Sequence, residues 1–172
     1  MIIFRDLTAD EIDVRIGLTK TSGIVLLLYK DARCDMNILD ETVGTENWQR
    51  EHYECKGNLF CRVGIKCEGE WTYKSDCGTE SNTEKEKGEA SDSFKRACVN
   101  WGIGRELYTS PFIWISQCDS NNKPNYTISE KGKINDKFVV EKIKIENKRI
   151  VGLAIKNAKL NKRVFLYTED KE

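Results

Sequence analysis

The spacing of apolar positions changes character several times along the chain, and each change predicts an element. Thr8 followed by Asp10 and Glu11, Ile12 and Ile16 four apart, and Gly23 beyond them predict a capped helix over 8–20. The unbroken run Ile24-Val-Leu-Leu-Leu-Tyr29 is a buried strand in length and composition. Ala32, Met36, Leu39 and Val43 recur at helical spacing and form one face of a second helix, closed by Gly44. Arg33 and Asn37 lie off that face.

Alternation then replaces the helical period. Residues 48–56, 59–67 and 70–79 predict three strands of a meander, turned at Gly57-Asn58 and Glu68-Gly69. In the middle strand Leu59, Cys61, Val63, Ile65 and Cys67 alternate with Phe60, Arg62, Gly64 and Lys66, so one face is dry and the other carries two cations. In the third strand Trp71, Tyr73 and Ser75 alternate with Thr72 and Lys74.

A polar run over 78–89 leads back to the helical period. Ala90, Phe94, Ala97, Cys98 and Trp101 cluster on one face, while Lys95 and Arg96 point away and Gly102 and Gly104 break the helix. Residues 112–116 read as a strand and 116–136 as a polar linker. A hairpin over 138–145 and 150–157, turned at Asn147-Lys148, and a short strand over 164–168 complete the chain. The expected fold class is therefore α+β. It has a β-β-β-α core (a three-strand antiparallel meander packed on a long helix), N-terminal helices and a small C-terminal β appendage. The expected divisions are 1–115 for the core, 116–136 for the linker and 137–172 for the basic hairpin.

Charge changes this picture in one place. The 28 Lys and Arg balance the 28 Asp and Glu, which argues against a broad nucleic-acid surface. Residues 131–163, however, hold eleven Lys or Arg against three acids, a local +8, with Lys142 and Lys144 on one hairpin face. With 39% apolar and 33% charged residues, and no apolar run near the roughly 18 to 20 residues that span a bilayer, the chain is expected to be soluble. MIIFRDLTAD lacks a basic leader, so the expected location is cytoplasmic, with no membrane partner.

Candidate catalytic chemistry is sparse. The seven cysteines form no CxxC and His52 is the single histidine, so no metal site is expected and the thiols read as small hydrophobes. His52 and Cys55, three apart on one strand, point to opposite faces and do not form a nucleophile pair. No GxxxxGK[ST] loop is present to cradle ATP, and the Gly-Ile-Gly at 102–104 follows a helix where a dinucleotide fingerprint follows a strand. The expectation is a protein without enzymatic activity or cofactor.

The block "ARCDMNILDETVG..NW", the meander, and above all "KGEASDSFKRACVNWGIGRELY" resemble the Rad52/Rad22 family of single-strand DNA annealing proteins over about 7–115, and more closely its phage and bacterial branch. The resemblance implies an ATP-independent annealing protein of DNA recombination and repair, built as a homo-oligomeric ring or helical filament. Single-stranded DNA would lie in its positive groove, backbone inward. A single-strand-binding protein is a further candidate partner. It also implies that Lys95 and Arg96 contact phosphates, and that Arg33 does so with its register one off from Cys34. A further family arginine falls on Val99 and an aromatic on Thr45. The residues themselves add Arg62, Lys66, Lys142 and Lys144 as candidate DNA contacts. Two other readings stay open: a single-strand DNA or RNA binder that protects without annealing, and a cysteine- or metal-dependent enzyme.

Overall fold

The computed structural model describes residues 2–79 and 85–169; residues 80–84 of the polar run lie outside them. In chain order the elements are β1 (Asp13–Lys20), β2 (Gly23–Tyr29), α1 (Ala32–Val43), β3 (Trp48–Cys55), β4 (Asn58–Cys67), β5 (Glu70–Cys77), α2 (Lys85–Trp101), β6 (Ile113–Ser116), β7 (Phe138–Glu146), β8 (Arg149–Asn157) and β9 (Lys162–Thr168). Single 3-10 turns occupy Ala9–Glu11 and Arg105–Thr109. The chain divides into two units, one of Met1–Asp6 with Asp31–Arg105, the other of Leu7–Lys30 with Glu106–Glu172. None of the described helices is long and apolar enough to cross a membrane.

The second unit is a six-stranded antiparallel sheet in the order β6-β2-β1-β7-β8-β9. Its edge strands β6 and β9 approach one another, so the sheet curls nearly closed. Ile24, Leu26, Ile113, Ile115, Phe138, Leu153 and Ile155 are buried in its interior. Residues 117–136 are fastened to it. Asn125 and Tyr126 are buried, and the buried Asp136 accepts hydrogen bonds from the Thr127 amide (2.8 Å), the Thr127 hydroxyl (2.5 Å) and the Asn157 side-chain amide (2.8 Å). Burial raises the Asp136 carboxyl, but the bonds from Thr127, Asn157 and Lys159 prevail and hold it at about 2.

This architecture overturns the expected fold class. The protein is mostly β, nine described strands against two α-helices, and its larger sheet includes the chain's C-terminal strands. The hairpin of β7 and β8 is no appendage, because β7 pairs with β1 through Asp13 and Val139. No helix spans 8–20. Thr8 and Glu11 do form a capping box, yet it caps a single 3-10 turn. From Asp13 the chain is a strand, because Ile12, Val14 and Ile16 also satisfy a period of two and β2 supplies the partner. Of the N-terminal helices only α1 forms, and its buried residues are Cys34, Asp35, Ile38 and Leu39.

The first unit holds α1, α2 and the antiparallel sheet β3-β4-β5. Both of its hairpins turn on two residues with positive φ, Lys56-Gly57 and Glu68-Gly69, the geometry that matches strand twist. The first turn therefore sits one residue earlier than the sequence pattern suggested. On the inner face of β4, Cys61, Val63 and Ile65 are fully buried, as are Phe94, Ala97 and Cys98 of α2.

Candidate nucleic-acid interface

Helix α2 is fixed in rotation by what its inner face touches. The Phe94 ring stacks on Trp48 at 6.1 Å, with the Arg50 guanidinium 4.8 Å from its centroid. The Trp101 indole N–H donates to the Val63 carbonyl at 3.0 Å. Along the β5 edge the Asn100 amide donates to the Ser75 carbonyl, Lys74 donates to the Asn100 carbonyl, and the Thr79 amide donates to Asp92. At Gly78 the strand passes so close to the helix that a Cβ would stand 2.2 Å from the Glu89 carbonyl oxygen.

The end of α2 explains its glycine pair. The Gly102 amide donates to the Val99 carbonyl and the Ile103 amide to the Cys98 carbonyl, the two bonds of a Schellman motif, with Gly102 at φ +99°. Ile103 is fully buried and seals the turn. Arg105 then donates to the Val99 and Asn100 carbonyls, placing a cation at the negative end of the helix.

This packing leaves Lys95 and Arg96 half-exposed. Lys95 has no side-chain hydrogen bond or ion pair among the described residues. Arg96 reaches Asp76 of β5 at 3.3 Å, a contact between residues twenty apart that no local pattern announces. Arg33 is exposed on the first turn of α1, where Asp31 caps the helix by accepting the Arg33 amide at 2.7 Å.

Arg62 and Lys66 do not join that set. They stand on the outer face of β4, whereas α2 covers the inner face. Arg62 binds its cross-strand neighbour Glu51 at 2.5 Å and lies 5.0 Å from the centroid of Tyr73. The hydrogen bond and the charge of Glu51 raise its already high pKa.

In the six-stranded unit Lys142 and Lys144 are exposed on one side of β7, as the alternation indicated. Their cross-strand neighbours are Ala154 and Gly152, so the two stems border a shallow trough. Lys144 is held by Glu146 at 2.7 Å. Much of the local +8 is engaged similarly: Lys162 with Asp119 (2.8 Å), Lys159 with Asp136 (3.3 Å), Arg163 with Glu141 (2.6 Å), and Arg149 with Glu169. Lys162 holds the Asp119 carboxyl at about 2.

Of the pair weighed for nucleophilic chemistry, the His52 ring nitrogen lies 3.0 Å from the Ala90 carbonyl on the inner face of β3, and Cys55 is an exposed thiol on the outer face.

No curated protein and no solved structure matches the chain. A family model does. The Rad52/22 family of double-strand break repair proteins matches residues 3–126, well over half of the chain, covering the first unit from residue 3 onward together with β1, β2 and β6. On that match the chain belongs to the Rad52/22 family, whose work is DNA recombination and repair through strand annealing.

Proposed function

We propose that the protein binds single-stranded DNA through its phosphates and pairs complementary strands without ATP, with Lys95 as the principal contact and Arg96 and Arg33 as further ones. Annealing requires that strand repulsion be cancelled while the Watson–Crick edges stay free, and cations directed at the backbone do both. The observation that carries the reading is Lys95. It lies in the family-matched region, on the side of α2 turned from the core, with no partner among the described residues. Arg96 would exchange Asp76 for a phosphate, so its net contribution is smaller than that of Lys95. ATP independence is supported by the lack of a phosphate-cradling loop in the sequence.

The working form in this reading is a homo-oligomeric ring or filament. The three-stranded sheet supports it by leaving β3 as an edge strand, hydrogen-bonded to β4 alone among the described strands. Lys142, and Lys144 when released from Glu146, would hold the second strand. Truncation at residue 131 cannot test this, because it removes three of the six strands of the larger sheet. Point variants can. Annealing of complementary oligonucleotides by Lys95→Ala, with mass followed by light scattering, tests the whole proposal. Loss of binding and annealing with the fold and oligomer intact is expected. Binding and annealing at the wild-type level would refute the assignment. Binding by the wild type without annealing would favour a protective single-strand binder instead.

A further inference from the structure

The two faces of the three-stranded sheet differ in kind. The inner face is closed by α2, while the outer face is an open array of rings and cations. The two-residue turn at Glu68-Gly69 sets Lys66 opposite Trp71, Gly64 opposite Tyr73 and Arg62 opposite Ser75. On the other side Phe60 stands opposite Tyr53. Gly64 is the residue that makes the array flat. Lacking a Cβ, it lets the Tyr73 ring lie across β4, with one ring carbon 2.5 Å from where a Cβ would stand. Gln49 fixes that ring by donating to the phenol oxygen at 2.6 Å. Trp71 lies 6.5 Å from Tyr73 with ring planes 29° apart, and Tyr53 stacks on Phe60 at 5.6 Å.

These rings are not core. Tyr53 is 37% exposed, Trp71 39% and Tyr73 43%. Among the strand residues of this face Glu51 is the one carboxylate, and Arg62 neutralises it. Lys66, with no side-chain partner among the described residues, is left as a free ammonium beside Trp71. A rigid, flat aromatic surface edged by a cation complements an unpaired base and its phosphate.

We propose that this outer face is a stacking platform for unpaired bases, with Trp71 and Tyr73 as the rings, Arg62 as a planar extension of them, and Lys66 on the phosphate. The proposal rests on the nucleic-acid reading above but concerns the opposite face of the sheet from α2. It would hold a splayed stretch of strand by its bases, where Lys95 holds a strand by its backbone.

The test compares a mixed-sequence oligodeoxynucleotide with an abasic strand of the same length and charge. Wild type should bind the base-bearing strand more tightly, with quenching of tryptophan fluorescence. Trp71→Ala should weaken binding to the base-bearing strand about tenfold and leave the abasic strand unchanged, while Trp71→Phe retains a ring and restores most of the loss. Lys95→Ala should weaken both strands alike. If wild type binds both strands equally and Trp71→Ala changes neither, the platform is refuted while the phosphate reading stands. If wild type binds neither strand, both fail. A fall in oligomer mass on Trp71→Ala, with binding per subunit unchanged, would overturn the platform in favour of a contact between copies.

Discussion

The two units differ in the share of their cations that meets a carboxylate. In the six-stranded unit Lys144, Lys159, Lys162 and Arg163 each meet a carboxylate within 3.3 Å, and two of these pairs fasten the 117–136 segment to the sheet. In the three-stranded unit Lys66 and Lys95 stand without side-chain partners among the described residues, one on each side of the sheet–helix layer. The richer basic segment is thus the more neutralised one. What decides availability is where the opposing carboxylates fold, and net charge per segment does not report it.

The largest effect should come from dismantling the three-stranded unit while leaving the other alone. Phe94→Ala removes a fully buried ring stacked on Trp48 and should destabilise that unit by about 3–5 kcal/mol. Denaturant unfolding followed by tryptophan fluorescence checks it. A uniform shift in the whole transition, rather than loss of the first unit, would show that the two unfold together.

In the six-stranded unit the corresponding weak point is Asp136. Its Asn replacement sets an amide against donors from Thr127, Asn157 and Lys159 and should cost about 1–3 kcal/mol. The effect has a pH signature. The folded carboxyl titrates near 2, below its ordinary value of 3.8, so the stability that it contributes is full above about 4 and is lost as pH falls toward 2. Melting between pH 5 and 2, ranges set by those values, should therefore show a shallower acid limb in Asp136→Asn than in wild type. Equal acid limbs would remove Asp136 from the account.

A smaller effect is expected at Lys144. Its pair with Glu146 is exposed, and such pairs contribute about 0–1 kcal/mol. Lys144→Ala should leave thermal stability and single-strand affinity nearly unchanged, whereas slower annealing at intact affinity would assign β7 to the second strand. A large drop in affinity would invert the comparison between the units.

How much of this was legible in the sequence differs by element. The meander could be read because one face of β4 is apolar and both turns carry a glycine. The region before it was misread because Ile12 and Ile16 fit a period of four as well as a period of two, and Thr8 and Glu11 cap a turn that goes no further. Only the partner strand β2 settles that choice, and its pairing is a tertiary fact. The outward turn of Lys95 and Arg96 was visible from the stripe of Phe94, Ala97, Cys98 and Trp101. The engagement of Arg96 by Asp76 was not, since it depends on β5 lying against α2. The outer-face rings were within reach: a two-residue turn at Glu68-Gly69 sets Trp71 opposite Lys66, so the alternation already noted places the aromatics with the cations.

In the proposed function the charge that holds the first single strand lies in the three-stranded unit. This claim is tested most directly by the salt dependence of single-strand affinity in Lys95→Ala and Lys162→Ala. The slope of log affinity against log salt should fall by about 0.7 for Lys95→Ala and stay unchanged for Lys162→Ala, whose ammonium is already held by Asp119. An unchanged slope for Lys95→Ala with a reduced one for Lys162→Ala would contradict it.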